Sequence, residues 1–419
     1  MLDITELNRY LSMRVAPNNG EGEPRLAVIS LADYSLPPAE TAPKPLVSWR
    51  VTRSCNLHCQ NCLYDSQQRR YGEELTTAEG LALIKDLAAF GVPRLLFGGG
   101  EPLMRPDLLE LVACAHELGI QPSIYTNGTL LDRTRTVGLK RAGLHSVTLQ
   151  LEAIGSEVDR NRRSPGAFQA VTEGYANCTA AGLEVDVRTP LNHWNYQGLA
   201  GVLDFIQCTQ IRQVVFSHLV YTGRGNTPHD DLTHEEKRRA LDLILGRVQE
   251  FHRRGMDIKI STDENQVDGI YLFLRLARRN PLRAAAAYRL LLACGAAVEG
   301  AGVGIAGIDA TGDVHPDPYW ANYTLGNVRE TPFSAIWEKS SDPLLQGLRD
   351  RLPLLKGRCA NCRWKQACGG SSRVRAQELF DDPWMSDPAC YLTDEEISKE
   401  VNDQIVVMED DVLLPKEAA

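Results

Sequence analysis

The sequence predicts an α/β protein whose core is a partial barrel of six parallel strands. Short apolar runs alternate with amphipathic helical segments from Leu46 onward, and this alternation repeats six times. Cysteines follow the first of these apolar runs and glycines follow the second. In such barrels the chemistry takes place at the carboxyl ends of the strands, so residues that directly follow a strand are the first candidates for a functional site.

The predicted strands and helices are taken in chain order. Apolar runs of strand length predict strands at 46–52, 93–97, 121–125, 145–151, 183–188 and 213–217. Helical periodicity predicts helices at 77–90, 107–118, 132–142, 167–180 and 197–209. Thr76 and Glu79 have the spacing of a capping box, which fixes the start of the first helix.

Segments of different composition flank the barrel. A Pro-rich N-terminal stretch predicts an extended linker or an arm on the surface, and the segment after the barrel is predicted to be helical with a break at 257–268. A cysteine-dense module and an acidic tail follow. The expected division is an extension, a barrel, a helical bridge, a cysteine module and a tail, at 1–45, 46–231, 232–293, 294–398 and 399–419.

Composition and charge exclude several classes of function. The chain has 419 residues, 43% of them hydrophobic, and a formal net charge of −9, whereas nucleic-acid-binding surfaces carry a basic excess. No apolar run approaches the roughly 18 residues that cross a bilayer. Eleven cysteines without an export signal favour a reducing cytoplasm and metal ligation. We therefore expect a cytoplasmic protein with neither nucleic acid nor membrane as a partner.

The strongest functional signal is a C-x3-C-x2-C run after the first predicted strand, formed by Cys55, Cys59 and Cys62. Thiolates hold iron–sulfur clusters, and three of them leave one iron of a [4Fe-4S] cluster free for a ligand that is not protein. A zinc site would need a fourth soft or imidazole ligand nearby, and a disulfide would need an oxidising compartment. The spacing and the compartment favour the cluster over both alternatives.

A Gly-rich block follows the second predicted strand, where Gly99 and Gly100 precede Glu101 and Pro102. Glycines let a backbone approach a ligand closely, and a carboxylate can accept hydrogen bonds from an ammonium group. The block and the cysteine run are both predicted to lie at the carboxyl edge of the sheet, so we expect them to form one site.

A second cysteine group lies near the C-terminus and contains Cys359, Cys362, Cys368 and Cys390. Four thiolates could complete an auxiliary [4Fe-4S] cluster or hold tetrahedral zinc, and the spacing alone does not separate the two. With a three-cysteine cluster site upstream, the auxiliary cluster is favoured. Cys294 is either an additional ligand or a buried thiol.

The cysteine run and the Gly-Gly-Glu-Pro block resemble the signatures of the radical S-adenosylmethionine (SAM) superfamily, and the second cysteine group resembles its C-terminal SPASM/twitch domains. The resemblance implies a partial (β/α)6 TIM-like barrel, SAM and two [4Fe-4S] clusters. Asp317 and Ser372 stand where the two-cluster version of such a domain has further cysteines.

Long C-terminal motifs resemble one subfamily, the radical SAM enzymes that process side chains of iron tetrapyrroles. These motifs lie at 217–225, 314–317, 323–329 and 387–397. The resemblance implies conversion of didecarboxysirohaem to iron coproporphyrin in haem biosynthesis, with reduced ferredoxin or flavodoxin as electron donor. Two alternatives are a peptide-modifying radical SAM enzyme, which forms thioether or carbon–carbon crosslinks, and a non-enzymatic iron–sulfur or haem-handling protein.

The same resemblance implies roles for individual residues. The sequence departs from the family's Ser-Ile-Asp-Gly after the fourth strand, where residues 150–153 read Gln-Leu-Glu-Ala. Cationic or proton-donating candidates for the substrate are Arg224, His218 and Tyr221, with Lys259 as a weaker one, while Trp320 and Tyr323 could flank a flat macrocycle or belong to the core. The implied SAM-binding residues are Gly99, Gly100, Glu101, Asn127, Gln150, Glu152, Arg162 and Arg188.

Overall fold

The structure is a computed structural model that describes residues 2–5, 44–277, 287–288, 291–292, 300–338 and 341–398. The candidate ligand Cys294, the Pro-rich stretch before Lys44 and the acidic tail from residue 399 lie outside the described residues. Within the described part of the chain, no helix is both long and apolar enough to span a membrane.

Strands and helices alternate through the first two thirds of the described chain. The strands are β1 Leu2–Asp3, β2 Leu46–Thr52, β3 Arg94–Gly99, β4 Gln121–Thr126, β5 Ser146–Gln150, β6 Glu184–Leu191, β7 Gln213–His218, β8 Lys259–Asp263, β9 Ile305–Ile308, β10 Asp313–His315 and β11 Gly326–Asn327. The helices are α1 Thr77–Phe90, α2 Leu108–Glu117, α3 Arg133–Arg141, α4 Ser156–Arg162, α5 Ala167–Ala180, α6 Leu199–Thr209, α7 His234–Arg253, α8 Val267–Ala277, α9 Phe333–Glu338, α10 Pro343–Arg349, α11 Lys365–Cys368, α12 Arg373–Phe380 and α13 Asp394–Ile397.

All these strands belong to one sheet in the order β1-β8-β7-β6-β5-β4-β3-β2-β9-β10-β11. Strands β2 to β8 run parallel to their neighbours, and β9 pairs in parallel with the free edge of β2. The six predicted strands are confirmed. The break predicted at 257–268 contains a seventh barrel strand, β8, which the sequence analysis does not assign.

Alternating side chains along each strand separate the core from the interior of the barrel. In β6, Val185 and Val187 are buried in the core, whereas Asp186 and Arg188 line a cavity inside the barrel. The two-residue period of a strand places alternate residues on opposite faces. The helices therefore cover an apolar outer face, and the inner face forms a polar lumen that can receive a ligand.

The first residues of the chain do not form a surface arm. Strand β1 pairs antiparallel with β8, and Ile4 is fully buried in the main core. The backbone N–H of Ile260 donates to Thr5 Oγ1 over 2.7 Å. The expectation of a surface extension is therefore wrong for residues 2–5, which close the far edge of the barrel sheet.

Candidate active site

The first cysteine run lies at the carboxyl end of β2, where all three residues line one cavity of about 110 Å³. The backbone N–H groups of Leu57 and Ser66 donate to the sulfurs of Cys55 and Cys62, each over 3.4 Å. Burial raises the pKa of the Cys55 thiol to about 11, so a bare thiolate is disfavoured there and a metal would have to stabilise it. Thiolate donors with N–H groups aimed at their sulfurs fit an iron–sulfur cluster.

The segment Gly223-Arg224-Gly225 holds the cysteine loop in place. Arg224 and Cys62 exchange two backbone hydrogen bonds of 2.8 Å, and Arg224 Nε donates to the carbonyl of Cys59 over 2.9 Å. The guanidinium also pairs with Asp65. At Gly223, with φ +72°, a Cβ would lie 2.2 Å from the carbonyl oxygen of Cys62. Arg224 does not line the cavity. In this structure its side chain holds the cysteine loop, and its predicted catalytic role stays a prediction.

The Gly-rich block packs against the chain that leads into the cysteine loop. The N–H of Gly100 donates to the carbonyl of Thr52 over 2.9 Å. A Cβ at Gly99 or Gly100 would lie 2.2 Å from the carbonyl oxygen of Thr52 or Ser54, respectively. Both glycines also line the cavity. Glycine is thus required at these positions because the backbone lies against that of Thr52 and Ser54, and the absence of a side chain also leaves the cavity open to a ligand.

Glu101 is buried behind this block and does not line the cavity. Its carboxylate accepts hydrogen bonds from the Leu103 N–H over 3.1 Å, from the Thr126 hydroxyl over 2.7 Å and from the Asn127 N–H over 2.9 Å. Burial nevertheless raises its pKa above the ordinary range. In this structure the carboxylate joins the ends of β3 and β4, and a contact with SAM stays a prediction.

Gln150, Glu152 and Arg162 form one connected wall of the cavity. Arg162 Nε donates to Glu152 over 3.2 Å, and Gln150 Nε2 donates to Glu152 over 2.9 Å. The remaining guanidinium nitrogens of Arg162 donate to the carbonyls of Asn127 and Gln150. Asn127 Nδ2 reaches the sulfur of Cys55 at 3.8 Å. These side chains lie together as predicted, but protein partners already occupy most of their polar atoms.

Arg188 lies beside this wall, as the register partner of Gln150 on β6, and already has two carboxylate neighbours. Its guanidinium lies 2.6 Å from Asp263 and 3.6 Å from Glu264, and it donates to the Ser217 hydroxyl over 2.6 Å. Glu264 has a φ of +61° and lines the cavity. Burial, followed by the charges of Asp263 and Asp317, raises the pKa of Glu264 to about 8. Arg188 is therefore paired before any ligand binds.

His218 keeps one ring nitrogen free at the cavity. Its Nε2 lies 2.9 Å from Asp268 Oδ2, and its Nδ1 has no partner although it is buried. The other oxygen of Asp268 accepts a hydrogen bond from the Tyr391 hydroxyl over 2.7 Å. Because Tyr391 follows Cys390, this chain of contacts connects the cavity with the second cysteine group.

The other predicted substrate contacts lie away from the cavity. The Tyr221 hydroxyl donates to Asp231 over 2.8 Å, and Tyr221 is absent from the cavity wall, so its catalytic role stays a prediction. Lys259 pairs with Asp3 at 3.1 Å, beside the amino edge of the sheet. Trp320 is a core residue. The Tyr323 hydroxyl donates to Asp342 over 2.7 Å.

Two of the cavity residues that the sequence analysis does not name have polar atoms without partners. Asn192 and Trp194 follow β6 and line the cavity, and neither Asn192 Nδ2 nor Trp194 Nε1 has a hydrogen-bond partner. Their signal is the one that marks the cysteines, namely polar residues directly after a strand of the sheet. With His218 Nδ1, three buried polar atoms lack partners at this cavity, and such atoms call for a polar ligand such as SAM.

The second cysteine group also comes together in the structure, around a pocket of about 20 Å³. Backbone N–H groups of Trp364 and Leu392 donate to the sulfurs of Cys362 and Cys390. Among the described residues, no three His, Cys, Asp or Glu side chains converge as one metal ion would require. Four sulfurs around a volume, rather than a point, fit an auxiliary cluster better than zinc.

A buried ion pair joins this module to the barrel. Arg375 lies 2.7 Å from Asp387, and both side chains are almost completely buried. Its other nitrogens donate to the carbonyls of Leu219 over 3.0 Å and Glu264 over 2.6 Å, at the ends of β7 and β8. Asp387 itself lines the cysteine pocket. The position of the auxiliary site is thus fixed relative to the barrel mouth.

Comparison with known proteins identifies the family. Residues 49–206 match the model of the radical SAM superfamily, and residues 300–363 match the SPASM iron-sulfur cluster-binding domain. The chain is 44% identical to Fe-coproporphyrin III synthase of Methanosarcina barkeri, over 84% of this chain and 89% of that protein. It belongs to the radical SAM superfamily. It is also 39% identical to pre-heme d1 synthase of Dinoroseobacter shibae, over 85% of this chain and 88% of that protein.

The barrel and the cysteine module recur in a solved radical SAM structure. Streptococcus suis SuiB bound to S-adenosylmethionine has a TM-score of 0.65 and 18% identity, over 93% of this chain and 87% of SuiB. The predicted fold class is thereby confirmed. This radical SAM enzyme uses SAM and a SAM-binding [4Fe-4S] cluster, which together supply a 5′-deoxyadenosyl radical when bound. Its own residues fix the cysteine loop and leave polar atoms free for SAM.

Proposed function

We propose that this enzyme processes side chains of a sirohaem-derived iron tetrapyrrole, and that it converts didecarboxysirohaem to iron coproporphyrin. The observation that carries the proposal is the 44% identity to Fe-coproporphyrin III synthase, which extends over 89% of that protein. Such an extent includes the barrel, the cysteine module and the residues between them. The peptide-modifying alternative has less support, because the likeness to SuiB is 18% identical and concerns the fold alone.

The shape of the interior supports a flat aromatic substrate. Tyr64, Tyr125 and Tyr319 line both the SAM cavity and a second cavity inside the barrel, so they lie where the two meet. Aromatic rings stack against other planar π systems and bury large areas. In this proposal the macrocycle lies beside these tyrosines, with the side chain to be cleaved directed toward the SAM cavity.

His218 is the residue best placed to contact the reacting part of the substrate. Asp268 holds its Nε2, and its Nδ1 is a buried atom without a partner on a side chain that lines the cavity. A histidine fixed by a carboxylate can accept or donate a proton at its other nitrogen. We assign His218 this role, while Arg224 and Tyr221 hold surrounding loops.

The test is mass spectrometry of tetrapyrrole products. Reconstituted enzyme is incubated anaerobically with didecarboxysirohaem, SAM and dithionite. The expected result is loss of two acetate groups to give iron coproporphyrin, with about two 5′-deoxyadenosines per product, one for each side chain. Deoxyadenosine without a change in the macrocycle would overturn the assignment of substrate.

Two further arms sharpen this assay. A tetrapyrrole product other than iron coproporphyrin would instead favour the activity of the relative named pre-heme d1 synthase, which is 39% identical. Replacing dithionite by reduced ferredoxin or flavodoxin tests the proposed electron donor. If dithionite supported turnover but neither reduced ferredoxin nor reduced flavodoxin did, that choice of donor would be contradicted.

A further inference from the structure

The second cavity inside the barrel has a volume of about 470 Å³. Residues of the barrel strands line one part of it, and residues of the C-terminal module line the other. That volume falls in the range of about 300–1,000 Å³ that is typical of small-molecule pockets. Asp317 and Ser372, which stand at positions expected for further cysteines, both line it. At these two positions the cavity wall therefore carries oxygen atoms, where a second auxiliary cluster would need sulfur ligands.

Arg351 lines this cavity and is 97% buried, since only 3% of it is exposed. Its Nε donates to the carbonyl of Leu348 over 3.0 Å, and its Nη2 donates to the carbonyl of Ala301 over 2.9 Å. Within the described parts of the chain, Nη1 has no hydrogen-bond partner and no carboxylate lies within ion-pair distance of the guanidinium. A buried guanidinium without a carboxylate at ion-pair distance can bind the anionic group of a ligand.

Three buried arginines around the barrel mouth differ in this respect. Arg162, Arg188 and Arg375 each form an ion pair with a carboxylate of the protein. Arg351 therefore departs from the pattern of its surroundings. The departure coincides with its position on a cavity wall, where a ligand can supply the missing negative charge.

A second arginine increases the positive charge at this wall. Arg373 is almost fully buried and donates to the carbonyls of Pro383 and Met385, while its Nε has no partner. Burial, followed by the charge of Arg373, lowers the pKa of Arg351 to about 10, so Arg351 stays charged at neutral pH. Among the described residues neither guanidinium has a carboxylate at ion-pair distance, although the charge of Asp317 acts on Arg351 and that of Asp387 acts on Arg373.

Acidic residues in the same cavity offset this charge only in part. Burial raises the pKa of Asp317 to about 6, so Asp317 is largely ionised at neutral pH and its charge acts on Arg351 from beyond ion-pair distance. Burial together with neighbouring carboxylates raises the pKa of Glu264 to about 8. At neutral pH, Glu264 is therefore largely protonated and opposes an incoming anion only weakly. Asp263 is already paired with Arg188 at 2.6 Å.

From this geometry we infer that Arg351 binds a side-chain carboxylate of the substrate, with Arg373 reinforcing the positive charge behind it. The inference rests on the proposed function and names the group that orients the macrocycle. The tyrosines shared by the two cavities then lie between the anchored carboxylate and the SAM cavity. An arginine can make two parallel hydrogen bonds to a carboxylate, which fixes direction as well as position.

The experiment compares Arg351→Met with Arg349→Met. Arg349 ends helix α10 and also donates to backbone carbonyls, those of Gly302 and Trp337, but it does not line the cavity. Iron coproporphyrin III and its tetramethyl ester are titrated into anaerobic, fully reconstituted holoenzyme with SAM, and binding is followed by absorbance. We expect Arg351→Met to raise the Kd of the acid about 10- to 100-fold and Arg349→Met to leave it unchanged.

The ester keeps the macrocycle but lacks carboxylate charge, so its Kd should be equal in all variants. Arg351→Lys should raise the Kd of the acid several-fold, because an ammonium cannot make the two parallel bonds. This variant decides the question if Arg351→Met does not fold. An unchanged Kd for the acid in Arg351→Lys or in folded Arg351→Met would overturn the inference.

The auxiliary cluster is the competing source of negative charge, because Cys368 also lies near both arginines. Iron content and the electron paramagnetic resonance signal of that cluster are therefore measured in each variant. A loss of its iron with an unchanged Kd would assign the arginines to the cluster and overturn the inference. If the wild type converts didecarboxysirohaem and Arg351→Met binds the acid as tightly as the wild type does, the inference about Arg351 is overturned but the proposed function stands. A wild type that neither binds nor converts tetrapyrroles overturns the proposed function as well.

Discussion

The two cysteine sites of this enzyme differ in what surrounds their sulfurs. At the first site the cavity walls carry polar atoms without partners, those of Asn192, Trp194 and His218. At the second, four cysteines enclose a pocket of only about 20 Å³, and the neighbouring Asp387 is paired with Arg375. Open coordination is typical of metal sites that react, and closed coordination of sites that are structural. The comparison assigns the chemistry to the first site and electron handling or support to the second.

The first prediction separates the two sites directly. Replacing Cys55 by Ala should abolish SAM cleavage, since the open iron that receives SAM is lost with its cluster. Replacing Cys390 by Ala should leave deoxyadenosine formation but remove tetrapyrrole product. Each variant should lose about four of about eight irons, measured by iron analysis after reconstitution. Loss of SAM cleavage in both variants would contradict the division of roles.

The second prediction concerns the ion pair that fixes the auxiliary site. Arg375→Met leaves Asp387 buried without its partner, and such a change costs about 3–5 kcal/mol of unfolding free energy. Urea unfolding followed by circular dichroism measures it. The matched control is Arg239→Met, which removes an exposed ion pair with Glu235 and should cost less than about 1 kcal/mol. Equal losses in the two variants would show that the buried pair is no more important than a surface one.

The third prediction tests the packing of the cysteine loop. In Gly223→Ala the new methyl group would overlap the carbonyl of Cys62 at 2.2 Å, in a backbone with φ +72°. The left-handed conformation alone costs about 1–2 kcal/mol, and the overlap adds to it. We expect loss of iron from the first cluster while the second remains.

Gly182→Ala is the control for this variant. It has φ +70° and nothing within 4 Å of the added methyl group, so it carries the conformational cost without the overlap. Its iron content should equal that of the wild type. If both variants lost the first cluster, backbone strain rather than contact with the loop would be responsible.

The smallest expected effect belongs to a single hydrogen bond. Trp194→Phe removes the unpaired indole N–H at the SAM cavity, and a hydrogen bond of this kind contributes about 0.5–1.5 kcal/mol. The Kd of SAM, measured by equilibrium dialysis under anaerobic conditions, should therefore rise about 2- to 10-fold. Tyr323→Phe removes a hydroxyl outside the cavity and should leave this Kd unchanged. Identical SAM binding by Trp194→Phe and wild type would show that the indole serves another ligand.

The sequence was sufficient to place six of the seven parallel barrel strands and both cysteine groups. Residues that follow a strand in a parallel sheet share one edge, so Cys55 and Gly99 could be assigned to one site before their contacts were known. The ends of the predicted strands agree with the structure to within three residues. Local patterns were enough because strand periodicity and turn chemistry are local properties.

The roles of the charged residues could not be derived in this way. Arg224 pairs with Asp65, which lies 159 residues earlier, and Arg188 pairs with Asp263 on a distant strand. A motif fixes where a side chain begins but not which partner its charged end meets. For the same reason Arg351, which no motif distinguishes, could be recognised only from the cavity that it lines.

The parallel pairing of β2 with β9 has a further consequence. Because Trp49 and Ile308 are register partners, the outer edge of the strand that leads into the cysteine run is covered by the C-terminal module. A chain shortened before residue 300 would leave a row of unpaired N–H and C=O groups on β2, which is a template for pairing with other chains. We therefore expect the module to protect this edge of the barrel against pairing with other chains.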